Sequence, residues 1–181
     1  MKPIMAFYMG YSESFNGLNY HNKNVFGSEI NTIKLAESLS NIYDIYIFVN
    51  TEHEIKYNNI YYLNLDKINN FDYFDILIII IYINYFIYYK NKAKKIFIWV
   101  CDTIINPYYN GISLYNNSSH LLYNIKDKIT NIICLSDWHM NNLNNVYNLN
   151  LYKNTIIPNP LDLSYYKNNV PIIKNRFIYM S

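Results

Sequence analysis

The sequence predicts an α/β fold, an open and mostly parallel sheet with helices on both faces. Two observations lead there. Short apolar runs alternate along the chain with segments of helical periodicity. Several of those runs are continuously apolar, as expected of parallel strands covered on both sides.

The elements follow in order. Ile4 to Met9 reads as the first strand. Ser28 to Asn41 reads as an amphipathic helix with a stripe of Ile30, Ile33, Ala36, Leu39 and Ile42, and with Ser28 as its N-cap. Asp44 to Val49 and Ile60 to Leu65 are the next two strands. Ile76 to Tyr89 is apolar except for Asn84. It falls short of the roughly 20 residues a spanning helix needs, so it reads as a buried strand over Ile76 to Tyr82 that runs into a short helix or turn. Lys95 to Cys101 is the fifth strand. Leu114 to Lys128 is helical, Asn131 to Leu135 is the sixth strand, Asp137 to Tyr147 is a helix and Thr155 to Ile157 is a seventh strand. Pro158, Pro160 and Pro171 then punctuate a linker-like stretch. The expected organisation is a domain over 1–162, a linker over 163–175, and the first strand of a further domain over 176–181.

Composition narrows the function classes. With 181 residues, 51% hydrophobic and 15% charged, the chain can bury a core. The 22 tyrosines, with abundant Asn, Ile and Lys, fit an A+T-rich genome and weaken any argument from tyrosine patches. A net charge of +2 gives nucleic-acid binding little support. Lys90, Lys92, Lys94 and Lys95 read as a solvated turn. Cys101 and Cys134 lie in separate apolar runs without ligand spacing, so they read as reduced, buried strand-end residues and no metal site is expected. The start of the chain lacks a signal peptide's apolar stretch, and a cytoplasmic location is expected.

Three of the four glycines, Gly10, Gly17 and Gly27, fall between the first strand and the first helix. Glycine allows positive φ and close approach of a ligand to the backbone. The loop ends at a helix N-terminus, where free N–H groups favour an anion. It is a candidate ligand loop; an ordinary loop before a capped helix is the alternative. Neither GxGxxG nor GxxxxGK[ST] occurs. Asp102 directly follows the fifth strand, as a base or hydroxyl acceptor or as a turn former. Asn106 to Gly111 is a polar-aromatic loop of a kind that suits a sugar. Ser136 caps the next helix, and His139 reads as an exposed helix residue rather than a catalyst.

Three ordered patterns carry a family resemblance. Gly27-Ser28-Glu29 precedes Leu35-Ala36-Glu37-Ser38-Leu39 and Tyr43-Asp44-Ile45-Tyr46-Ile47-Phe48. Ile133-Cys134-Leu135-Ser136-Asp137-Trp138 ends a strand. Ile156-Ile157-Pro158-Asn159-Pro160-Leu161-Asp162 closes the domain. Together they resemble the N-terminal, Rossmann-like half of retaining glycosyltransferases of family 4 and related GT-B families, and Arg176 to Ser181 resembles the first strand of the second domain. Three positions depart from the family: Phe26 and Pro160 stand where glycines are common, and Cys101-Asp102 stands where many members have histidine.

The resemblance implies an acceptor-side domain that is inactive alone and is completed, in cis or in trans, by a domain that binds a nucleotide-sugar donor. It implies that Gly27 and Ser28 meet the donor diphosphate and that Asp102 acts in catalysis, replacing the histidine. Asn106, Tyr108 and Ser136 would contact acceptor or sugar, with no metal and no cofactor beyond the donor substrate. Two alternatives stand beside it: a non-catalytic glycan- or partner-binding module, and a small flavodoxin-like nucleotide-binding protein.

Overall fold

The computed structural model describes residues 2–23, 25–90, 92–105, 108–109, 112–113 and 115–159. Its elements are β1 (Ile4–Tyr8), α1 (Gly27–Leu39), β2 (Asp44–Phe48), β3 (Ile55–Tyr57), β4 (Ile60–Leu63), β5 (Tyr73–Ile80) and α2 (Tyr85–Tyr88). There follow β6 (Lys92–Trp99), β7 (Tyr108–Tyr109), β8 (Ile112–Ser113), α3 (Tyr115–Asn124), β9 (Asn131–Cys134), α4 (Asp137–Tyr147) and β10 (Asn154–Ile156).

Eight strands form one sheet in the order β10-β9-β6-β5-β1-β2-β4-β3. Every pairing is parallel except β3 with β4. The chain steps outward from β1 through β2 to β4, then crosses back to β5 and steps outward the other way. The inner strands therefore follow the 3-2-1-4-5-6 order of doubly wound sheets, whose reversal lies between β1 and β5. This order differs from the 2-1-3-4-5 order of the flavodoxin-like alternative.

The two faces carry different helices. Met5 and Phe7 of β1 pack in one cluster with Ile33 and Ala36 of α1. Ala6 and Tyr8 point the opposite way and pack with Tyr85 of α2. Ile98 and Ile132 pack with Leu122 of α3 and with Leu143 and Tyr147 of α4. Alternate residues of one strand thus serve opposite cores, which explains the continuous apolar runs. Among the described residues no helix is long and apolar enough to cross a membrane.

Several local expectations need correction. The hairpin strand β3 was not foreseen; it turns into β4 through Asn58 and Asn59, both at positive φ (48° and 64°), where asparagine tolerates the left-handed region. Helix α1 has Phe26, not Ser28, at its N-cap. Its buried positions are Glu29, Thr32, Ile33 and Ala36, while Ile30 and Ile42 are exposed. Lys92, Lys94 and Lys95 lie in β6 rather than in a turn. The linker and following strand expected from 163 onward, with Pro160, lie outside the described residues.

Candidate functional site

The reversal point of the sheet is occupied by a cleft of about 420 Å³. Its walls come from the segment after β1 (Met9, Tyr11, Ser12, Glu13), the start of α1 (Phe26 to Glu29), the end of β5 (Ile80 to Tyr82), Cys101 and Asp102 after β6, and Asn159. This is where open α/β sheets bind ligands, because the loops diverge from the carboxyl ends of adjacent strands.

The three loop glycines have three different reasons. Gly10 takes φ +63°, and a methyl group there would sit 2.5 Å from Cβ of Tyr82, so both backbone and packing demand glycine. A methyl group on Gly17 would sit 2.7 Å from the Tyr57 ring and 2.8 Å from the Tyr62 ring. Gly27 is not at positive φ, and a methyl group there meets nothing within 4 Å. Open space beside a backbone that lines the cleft leaves room for a ligand.

Ile81 adds a local distortion. It stands at φ +61°, an outlier for a β-branched side chain, and the Tyr82 N–H turns back to the Ile80 carbonyl. This γ-turn aims Tyr82 across Gly10 and beside Tyr11, whose ring lies edge-on to that of Tyr82 with centroids 6.3 Å apart.

The start of α1 is organised by a carboxylate. Glu29 is only 5% exposed. Its Oε2 accepts the Phe26 N–H at 3.1 Å and the Ser28 hydroxyl at 2.9 Å. Glutamate at the third helical position commonly reaches back in this way. The Ser28 hydroxyl is therefore directed at Glu29, and what Gly27 and Ser28 offer the cleft is backbone N–H. The first intrahelical bond runs from Ile30 N–H to the Phe26 carbonyl, so the amides of Gly27, Ser28 and Glu29 precede the ladder.

Asp102 is exposed on the far wall, and its Oδ1 accepts the Thr103 N–H at 2.6 Å and the Thr103 hydroxyl at 3.3 Å. The second carboxylate oxygen remains for a ligand. Its backbone is held from below. His139 is buried (4% exposed), contrary to the exposed position expected for it. Its Nδ1 accepts the Leu135 N–H at 3.1 Å, and its Nε2 lies 2.7 Å from the Asp102 carbonyl. Only the neutral ring with its proton on Nε2 satisfies both partners. The Tyr147 hydroxyl accepts the Ile105 N–H at 3.0 Å and donates to the Ile105 carbonyl at 3.2 Å. Helix α4 thus fixes the segment that carries Asp102 at both ends.

Cys101 sits between the walls. Burial, then the negative charges of Glu29 and Asp102, push its thiol up to about 12. Both cysteines are free thiols; Cys134 is buried and Cys101 partly so.

Ser136 caps α4, as expected, its Oγ accepting the His139 N–H at 3.1 Å. That bond gives it a structural task, and it is not among the residues lining the cleft. Asn106 lies outside the described residues, and Tyr108 enters only through its backbone pairing with Ser113. The residue missed in the sequence is Ser12: it is 8% exposed, lines the cleft, and its Oγ has no hydrogen-bond partner among the described residues. No pattern of spacing marks it; only the folded loop brings it there.

Among the described residues the lining holds three carboxylates, Glu13, Glu29 and Asp102, and no lysine or arginine. Carboxylates and a hydroxyl beside the aromatic Tyr11, Phe26 and Tyr82 suit a ligand rich in hydroxyl groups. Compared with protein-family models, curated proteins and solved structures, the chain finds no match.

Proposed function

We propose that this chain is the acceptor-side half of a glycosyltransferase that moves a sugar from a nucleotide-sugar donor to a glycan or other hydroxyl-bearing acceptor. One observation carries the reading. Gly27 to Glu29 of the first family-like pattern and Asn159 of the last line the same cleft, at the reversal of a 3-2-1-4-5-6 sheet.

The chemistry of the lining supports the acceptor side. Asp102 has a carboxylate oxygen available to accept a sugar hydroxyl or its proton. Ser12 supplies a buried hydroxyl in need of a partner. Gly27 and Ser28 line the same space with amides that precede the helical ladder, the natural contacts for the donor diphosphate. With Glu29 already at the helix N-terminus and no lysine or arginine among the described residues of the lining, the reading assigns the positive charge that stabilises a departing diphosphate to a second, donor-binding domain in cis or in trans. The isolated chain is then a binding half without turnover, because transfer requires both substrates to be positioned.

The test is a transfer assay with a panel of nucleotide sugars and acceptors, on the chain alone and with a donor-binding domain fused or added. Transfer that requires both parts is expected. Absence of transfer from the completed protein, together with tight binding of flavin mononucleotide by this chain, would replace the reading.

A further inference from the structure

We infer that the edge of the sheet opposite the cleft docks on an anionic lipid surface. The β5–β6 crossover contains only the one-turn helix α2, so the amino half of β6 is not covered by a full helix. A groove of about 840 Å³ opens there, floored by Ala93 and Ile96 and walled by Tyr85, Phe86 and Tyr89.

Four lysines, Lys90, Lys92, Lys94 and Lys128, line this groove, and all four are exposed. Asp127 lines it, Asp72 stands beside it, and Asp66 lies close enough to Tyr89 of its wall to add to burial in raising that phenol's pKa. The two ion pairs among the described residues, Lys23 with Glu52 and Lys34 with Glu37, lie elsewhere, so none of these four ammonium groups is ion-paired with a described carboxylate. Like charges gathered at one edge repel, and an anionic surface relieves that repulsion.

Apolar side chains stand out beside the lysines. In α2, Ile87 is 42% and Tyr88 45% exposed. Outside the groove, in α3, Tyr123 is also exposed, under the ammonium of Lys126 at 4.4 Å from its ring centroid. Lysines interleaved with exposed tyrosine and isoleucine combine electrostatic attraction with shallow insertion, the two signals that together hold a protein at a bilayer interface. A soluble polyanion would use the lysines and leave Ile87 and Tyr88 in water. Docking by this edge leaves the cleft at the opposite edge open to its ligand, so the inference does not depend on what the cleft binds.

The test is co-sedimentation of the full 181-residue chain with phosphatidylcholine vesicles, with and without phosphatidylglycerol, at low and high salt. Binding only to the phosphatidylglycerol vesicles, weakened by salt, is expected. Each lysine-to-glutamine change in the groove should lower partitioning about fivefold. Replacing Lys90, Lys92, Lys94 and Lys128 together by Gln should abolish it with the thermal unfolding curve unchanged. Ile87→Ser with Tyr88→Ser should weaken it, and Lys23→Gln should leave it alone. Equal binding to both vesicle types, or unchanged binding by the four-lysine variant, would overturn the proposal. So would capture by heparin with no capture by vesicles.

Discussion

His139 donates its Nε2–H to the carbonyl of Asp102 across 2.7 Å, and so ties the first turn of α4 to the segment that follows β6. The same ring accepts the Leu135 N–H through Nδ1. A side chain outside the lining of the cleft thereby sets the position of one within it. Replacing His139 by Ala leaves two backbone groups unpaired, at about 1–3 kcal/mol each. Urea unfolding should show a loss of that order, and 15N spectra of the imidazole should show the Nε2–H tautomer. A wild-type midpoint for His139→Ala would remove the clamp from the account.

The glycines should separate stability from binding. Gly10→Ala meets Tyr82 at 2.5 Å and requires positive φ from a residue with a Cβ, so it should lose several kcal/mol (roughly 2–4, from packing and backbone strain). Gly27→Ala meets nothing within 4 Å and should change stability by less than about 1 kcal/mol. Thermal unfolding of the two variants side by side is sufficient. Equal losses would mean that the space at Gly27 is filled in solution.

Function should show the reverse order. In the completed two-domain enzyme Gly27→Val should impair transfer far more than folding, because its branched side chain enters the space beside the first amides of α1. Asp102→Asn should lower transfer by removing a charge while keeping bulk and the Thr103 turn. Turnover and unfolding should be measured on the same preparations. Near-normal turnover in Gly27→Val would make the first loop structural; normal turnover in Asp102→Asn would leave Asp102 as a turn residue.

Cys101 sets an alkaline limit. Its thiol rises from the ordinary 9.0 to about 12 in the folded protein. The folded state then holds a proton that the unfolded state releases, so stability is full below pH 9 and falls as pH rises from 9 toward 12. Below pH 9 the native thiol should react slowly with alkylating reagents and quickly once unfolded. Denaturant midpoints and alkylation rates across this range check both. A Cys101→Ala variant should lose less stability than wild type between neutral and alkaline pH.

Much of the fold was legible in the sequence. Apolar runs located the buried strands because both faces of a parallel strand are covered. Ser136 announced the start of α4 because a capping hydroxyl three residues before an amide has a local geometry. The misses have physical causes. The cap of α1 shifted because the Glu29 carboxylate, reaching back to Phe26, replaces a capping side chain. Lysines in β6 looked like a turn because the amino half of that strand is exposed, and a charged, exposed strand end has the composition of a turn. His139 acts through a carbonyl 37 residues away, and Ser12 is brought to the cleft by the folded loop; periodicity encodes neither. The Gly27 loop and Asp102 were legible as separate candidates, but their meeting in one cleft came from the strand order.

The central claim is that the cleft between β1 and β5 is the ligand site of this domain. Its most direct test is an amide-resolved NMR titration of the 15N-labelled chain with nucleotide sugars, which detects weak binding. The account expects saturable shifts at Ser12, Gly27, Ser28 and Asp102, larger with the sugar nucleotide than with pyrophosphate alone and lost in Gly27→Val. Shifts absent from these four amides while others move, or shifts that persist in Gly27→Val, would contradict it.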